Sequence, residues 1–436
     1  MHCGRPEALP LHLRCPDEPF FEGLLTSGLN CPWSPVFHRA MNLHQYLRLF
    51  FPPVCTLAIA ALAIIASLTA NTAAGAAEYR VYFGTYTGKK SKGIYAARFD
   101  ARMGKLAAPE LVAETISPSF LAANPKGTFL YAVNEVEQYG GKKAGAVSAF
   151  AIDRATGKLT LLNQQSSGGP APCHIITDKA GRNVLVANYS GGSVAVYPVR
   201  KDGSLEEVSS FIQHTGSRVI KPRQDAPHAH GIYLDAANRY AFVPDLGLDK
   251  VLIYPFDAAK GTLTANEPAF GRVAPGAGPR HFALHPKGKF AYVINEIVCT
   301  VTAFRYDAKR GALSELQTLS TLPAGEAFKS SYSTAELFAH PNGKFLYGSN
   351  RGHDTIVVYS VNEKTGELSY VENASTLGKT PRGFGIDPTG RWLLAGNQSS
   401  DNVVVFRIDP ATGRLTPTGQ TIEVGAPVSV LFVAAK

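Results

Sequence analysis

The sequence predicts an all-β chain folded as a seven-bladed β-propeller with four-stranded blades, and two recurring phrases carry that prediction. The first is a turn, in which an acidic residue or Asn is followed by Gly and, two residues later, by Leu. It occurs as Asp100…Gly104-Lys105-Leu106, Asp153…Gly157-Lys158-Leu159, Asp202-Gly203-Ser204-Leu205, Asp257…Gly261-Thr262-Leu263, Asp307…Gly311-Ala312-Leu313, Asn362…Gly366-Glu367-Leu368 and Asp409…Gly413-Arg414-Leu415. The leucines lie 53, 46, 58, 50, 55 and 47 residues apart. Glycine supplies the positive φ of a tight hairpin, and Leu opens the buried face of the returning strand. The second phrase is a strand, a Pro- or Asp-led turn with Gly, and an apolar strand closing on Asn, as in 282–295 and 386–397. A β-rich run before each Asp turn (194–199, 251–256, 355–361, 403–408) completes four strands per unit. Four short strands repeated about every 50 residues are the signature of propeller blades.

The segment 1–77 falls outside that pattern. Residues 54–68 (VCTLAIAALAIIASL) form a continuous apolar run after Arg48, followed by small residues up to Ala74-Gly75-Ala76. Positive, apolar and small-residue regions in that order predict a secretory signal peptide over 41–77, starting at Met41 and cleaved near Ala76. The run is shorter than the ~20 residues a membrane helix needs, so no stable span is expected after cleavage. Residues 1–40, rich in Pro and without periodicity, are read as a non-native or disordered extension from an upstream start. Residues 78–436 are then one propeller domain. Its first strand (80–85) resembles the second strand of a blade and its last (427–433) an inner strand. The two ends therefore share one blade and close the ring, leaving no open sheet edge.

The chain carries 43 Lys+Arg against 34 Asp+Glu, a net charge of +9, and residues 1–77 contribute equal numbers of each sign. The basic excess thus lies on the propeller. It is spread over hairpin turns (Lys126, Lys158, Lys287, Lys344) rather than gathered in a stripe, which excludes a nucleic-acid surface. It suits a small acidic ligand instead. Of six cysteines only Cys173 and Cys299 follow residue 77, and they are read as buried free thiols.

Strand alternation sorts the polar residues by face. The connections between blades share one face with the turns between second and third strands, while the Gly hairpins occupy the other. Starts of inner strands place Cys173, His174, His228, His230, Arg280, His281, Glu336 and Arg382 on the first face. Ends of second strands add Asn134, Glu135, Asn188, Asp245, Asn295, Glu296, Asn350, Arg351 and Asn397. His, Glu and Arg meeting at one channel mouth are the composition of acid–base chemistry on an anionic or carbonyl substrate. Other residues have simpler readings. The repeated Asn residues cap turns, His285 and His340 belong to hairpins, and His353 follows its loop. His228 and His230 lack a third ligand at defined spacing, so no metal is assigned. Arg280 and Arg382 occupy equivalent blade positions and require an anion, supplied either by substrate or internally by Glu296 or Glu336.

Gly278-Pro279-Arg280-His281, His285-Pro286-Lys287-Gly288 and Asn295-Glu296 together resemble the lactonase family of seven-bladed propellers. That family includes bacterial propeller-type 6-phosphogluconolactonases and fungal carboxymuconate lactonising enzymes. The segments 223–230 (RQDAPHAH) and 245–250 (DLGLDK), with Ser349-Asn350-Arg351, extend the resemblance over residues 79–435. The resemblance implies a lactone substrate and a site with neither metal nor other cofactor. It carries over His174, His230, Arg280, Glu296 and Arg351. The expected catalytic set is His174, His230, Arg280 and Glu296, with His228, His281, Glu336, Arg351 and Arg382 binding substrate. Glu296 or a neutral His174 or His230 would activate water, and a second His would protonate the ring oxygen. Arg280, helped by Arg351 or Arg382, would hold the oxyanion. The substrate would be 6-phosphogluconolactone or a related aldonolactone. The signal peptide predicts export to the periplasm, where a phosphorylated sugar lactone is scarce; a misassigned N-terminus would leave the chain cytoplasmic. The competing reading is an exported, non-catalytic propeller that binds a ligand or partner, in which the His, Glu and Arg groups neutralise one another. A metal or quinone oxidoreductase lacks a ligand set.

Overall fold

The computed structural model describes residues 78–435, so the expectations for residues 1–40 and 41–77 lie outside the described residues. Within them the chain forms thirty strands and no helix, arranged in seven antiparallel sheets. Blade 1 holds both ends of the fold. Its inner strand is Pro427–Ala434, which pairs with Glu78–Thr85 from Tyr79 opposite Ala434 to Thr85 opposite Pro427. Blades 2 to 7 follow in chain order, with inner strands Leu121–Ala123, Pro172–Thr177, Tyr233–Leu234, Pro279–Leu284, Ser333–Ala339 and Pro381–Ile386. The shared-blade closure expected from the sequence is thus present.

Second and third strands are buried on both faces and read as unbroken apolar runs, as in Asn183–Asn188 (NVLVAN). Each junction between neighbouring blades holds one apolar cluster. Tyr131, Val147 and Val186 fill that between blades 2 and 3, and Tyr292, Val301 and Val357 that between blades 5 and 6. The ring junction of blades 7 and 1 is filled by Phe83, Phe99, Trp392 and Val405.

The repeated Gly turns also join blades. Tyr82, Tyr131, Tyr292 and Tyr347 each donate a hydroxyl hydrogen bond, at 2.8–3.1 Å, to the carbonyl of the turn Gly in the following blade: Gly157, Gly203, Gly366 and Gly413. Gly366 has left-handed backbone, and a Cβ there would collide with the Phe290 ring. Glycine is therefore required twice over at this turn. Trp392 closes the ring with an indole N–H bond to Ala101 O at 2.8 Å. His285 and His340 bond Gly343 O and Gly390 O of the next blade through Nε2, at 2.8 and 2.7 Å, as hairpin residues.

Blade 4 departs from the pattern. Its inner strand is only Tyr233–Leu234, with an isolated bridge between Ala229 and Asp245 further along. The connection 214–232 leads into it from Ser210–Gln213, the last strand of blade 3. It is several times longer than its counterpart 167–171, which joins blade 2 to blade 3. The long connection is fixed by the buried Gln224, whose amide reaches Leu246 O and Asp249 Oδ1 at 2.8 and 2.7 Å. Asp249 also accepts the N–H groups of Gly276 and Gly278. No helix among the described residues is long and apolar enough to cross a membrane.

Candidate active site

The starts of inner strands and the ends of second strands bring most of the predicted residues to one mouth. Glu296, at the end of Phe290–Asn295, sits at its centre and is 5% exposed. Arg280 Nε donates to its Oε2 at 2.8 Å, Arg351 Nη2 lies 2.9 Å from the same oxygen, and Arg223 Nη2 reaches Oε1 at 2.5 Å. Burial pushes the Glu296 carboxyl up, but Arg351, Arg280 and Arg223 together outweigh it and hold it far below the usual carboxylate range. Burial pulls Arg351 down to about 10 against the Glu296 charge, leaving it cationic at neutral pH. Two of the three arginines are anchored to backbone as well: Arg280 Nη1 to Ala335 O at 2.7 Å, and Arg351 Nη2 to Thr334 O at 2.7 Å.

Three imidazoles line the other side. The ring of His281 lies 5.3 Å from that of His174 and 5.5 Å from that of His230, all edge to face. Burial first, and then neighbouring charge (His281 and Arg280 for His174, Arg280 for His230 and His281), holds each well below the ordinary imidazole value, so all three are neutral. His230 Nε2 faces Glu296 Oε2 at 3.9 Å, and its Nδ1 lies 3.6 Å from Cys173 Sγ. His174 Nδ1 accepts the Ile232 N–H at 3.3 Å. His281 Nδ1 lies 2.5 Å from Glu336 Oε1, while its buried Nε2 has no partner. Burial raises Glu336 to about 7.

His228 does not join this group. Its ring stacks on Tyr189, with Nδ1 3.0 Å from Tyr189 O, while His230 meets the same tyrosine edge-on. Arg382 stands across the mouth, its guanidinium 5.4 Å above the Tyr86 ring. Tyr86 in turn bonds Glu135 at 2.9 Å, and Ser119 donates to the same carboxylate. Arg382 forms no ion pair among the described residues; Tyr86, Glu135 and Glu296 set its charge environment. Arg280, His281 and Arg382 meet around a cavity of about 10 Å³, room for one water. A second cavity of about 680 Å³, walled by apolar inner-strand residues, enters the channel from the hairpin side and reaches His174 and Glu336.

Arg223, Tyr86 and Tyr189 complete the site without having been singled out from the sequence. Arg223 stands within the 223–230 segment, and the length of its connection was the available signal. The repeated Asn residues do not cap turns as expected: Asn188, Asn350 and Asn397 leave Oδ1 without a partner and donate through Nδ2 to Ser167 O, Thr321 O and Thr376 O, tying strand ends to the connections between blades. In blade 4 Asp245 replaces Asn and accepts the His228 and Gly247 N–H groups and His214 Nδ1. Cys173 and Cys299 are free and buried.

The family model for "Lactonase, 7-bladed beta-propeller" matches residues 80–432. The 6-phosphogluconolactonase of Bacillus subtilis is 40% identical over 355 residues, covering 81% of this chain and 98% of the relative. Among solved structures, a putative 6-phosphogluconolactonase from Bacteroides fragilis superposes with a TM-score of 0.76 at 38% identity, covering 82% of this chain and 98% of that one. The periplasmic gluconolactonase of Pseudomonas aeruginosa gives the same TM-score at 37% identity, covering 82% of this chain and 100% of that one. Joined to the seven blades and the Arg–Glu–His mouth, these matches establish that the chain belongs to the seven-bladed β-propeller lactonase family.

Proposed function

We propose that the chain hydrolyses a sugar-type lactone to the open acid at this mouth. The observation that carries the reading is the meeting of Arg280 and Arg382 with a neutral imidazole around one water-sized cavity. The cavity holds the attacking water beside His281, and a carbonyl brought up to that water from the mouth meets the two cations. The cations stabilise the oxyanion as it forms, in a dry site where such charge counts most. Glu296 serves as the anchor of three arginines, which occupy both its oxygens, and a neutral imidazole with an unpartnered nitrogen takes the role of base. Arg223, half exposed at the rim, offers its remaining donors to a substrate hydroxyl, carboxylate or phosphate.

Relatives named 6-phosphogluconolactonase and a neighbour named periplasmic gluconolactonase support both phosphorylated and plain gluconolactone as substrates. The apolar run at 54–68 and that periplasmic neighbour favour export and hence the plain aldonolactone. The test is hydrolysis of glucono-1,5-lactone and its 6-phosphate by protein starting at residue 78, followed by acid release. Turnover above the spontaneous rate is expected, with Arg382→Ala lowering kcat/KM about 10²–10³-fold, as for loss of an oxyanion donor. No turnover on either lactone would leave the ligand-binding reading, which the pairing of Glu296 with three arginines otherwise favours. N-terminal sequencing of the protein from the cell envelope tests export; a mature chain starting near Ala77 is the expected result.

A further inference from the structure

The three imidazoles differ in their partners and in the cavity they border, and that difference separates His281 from the other two. His174 uses Nδ1 to accept the Ile232 N–H, so its proton sits on Nε2. His230 places Nδ1 3.6 Å from the Cys173 thiol and turns Nε2 toward the Glu296 carboxylate at 3.9 Å, beyond hydrogen-bond reach. His281 is the reverse of His174: Nδ1 donates to Glu336 Oε1, and Nε2 is left with a buried, unshared lone pair. Of the three it is the one that lines the small cavity between Arg280 and Arg382.

Glu336 faces the other way. Its partner His281 borders the small cavity with Arg280 and Arg382, whereas Glu336 itself lines the 680 Å³ cavity that opens on the hairpin face. The pair therefore lies between the water-sized cavity at the mouth and the large cavity on the hairpin side. Resting on the lactonase reading above, we propose that His281 and Glu336 form the acid–base couple of the reaction, His281 as the catalytic base and Glu336 as a positioning group that carries the proton to the far cavity.

His281 Nε2 takes a proton from water as the water oxygen bonds to the carbonyl carbon, and the Nδ1 proton shifts to Glu336. When the ring C–O bond breaks, the couple returns that proton to the leaving oxygen. The carboxylic acid so formed, with an ordinary pKa of about 4, then gives its own proton to the couple. Glu336 releases it on the hairpin side, and the carboxylate product leaves past the arginines. Arg280, Arg382 and Arg351 oppose an imidazolium, so the proton rests on Glu336 and the ring never bears net charge. The groups facing the couple are Arg280 on its own strand, Glu296 and Arg351 from second-strand ends, His174, His230 and Tyr233 from blades 3 and 4, and Arg382 from blade 7.

Since burial raises Glu336 to about 7, the couple is unprotonated, and active, above that pH. The test is the pH profile of kcat/KM for wild type, His281→Asn, Glu336→Gln and Glu336→Ala, each checked for unchanged melting cooperativity. Wild type should rise through about pH 7. His281→Asn should lose about 10²–10⁴-fold. Glu336→Gln keeps the hydrogen bond but removes the proton sink, so its loss should be similar and the inflection near 7 should vanish. Added formate, entering from the hairpin-side cavity, should restore part of the rate to Glu336→Ala and none to His281→Asn. An active wild type with His281→Asn within threefold of it, or Glu336→Gln with the inflection unchanged, overturns the couple alone. A wild type inert on every lactone overturns the lactonase reading and the couple with it.

Discussion

Glu296 shows how a single residue's surroundings decide its job. A carboxylate at a channel mouth invites assignment as a base, yet three guanidinium groups within 2.9 Å make it a structural counter-charge. Its depressed pKa gives the sign of its contribution. The stability it supplies is complete above the unfolded value of about 4.3 and is lost as pH falls through that value toward the folded one. Wild-type melting temperature should therefore drop steeply below about pH 5. Glu296→Gln should cost about 3–5 kcal/mol at neutral pH, because it strands buried cations, and should flatten that acid limb; calorimetry across pH reads both. The sequence placed Arg280, Glu296 and Arg351 at one mouth through strand alternation alone. It did not separate His228 from His230. On a regular strand residues two apart share a face, but the inner strand of blade 4 is broken there, and the two rings take different partners. The tautomers of His174 and His281 were equally hidden, since they depend on Ile232 and Glu336, which lie on other blades.

At the scale of elements, the recurring Gly turn proved to have two functions. Its spacing announced the blades, because a positive-φ glycine punctuates every returning strand. The second function, accepting a tyrosine hydroxyl from the preceding blade, required the three-dimensional register and was not legible. Tyr292→Phe should leave the buried Gly366 carbonyl without its partner and cost about 1–3 kcal/mol. Gly366→Ala should cost more, since it combines left-handed backbone strain with a clash against Phe290. Urea unfolding of the two variants orders them. Arg223 was not singled out, although segment 223–230 carried part of the resemblance, for the opposite reason: its connection has no periodicity and is held by Gln224 and Asp249 rather than by a strand ladder.

For the molecule as a whole, the sequence was most informative. Seven copies of a unit of about 50 residues left little choice of architecture, and the unmatched strands at the two ends implied the closure. What periodicity does not reveal is the interior of the ring. There His281 and Glu336 lie between the water-sized cavity at the mouth and the large cavity on the hairpin side. Removing residues 427–436 should expose the edge of Glu78–Thr85 and uncover Val81 and Phe83. The shortened chain is expected to lose cooperative unfolding rather than merely melt earlier, as differential scanning calorimetry would record.

The shared blade also fixes an order of events in time. Glu78–Thr85 is the first strand of the propeller to be synthesised, and its inner partner Pro427–Ala434 is the last. At ribosomal rates of about 5–20 residues per second, the stretch 86–426 between them takes roughly 20–70 s to make. Throughout that interval the first strand keeps an unpaired edge, a template for the wrong partner. The ring cannot latch during synthesis, however stable the intervening blades become. Its native state is reached only after the final strand emerges, and that interval is when chaperones, proteases or a translocation channel can engage the chain.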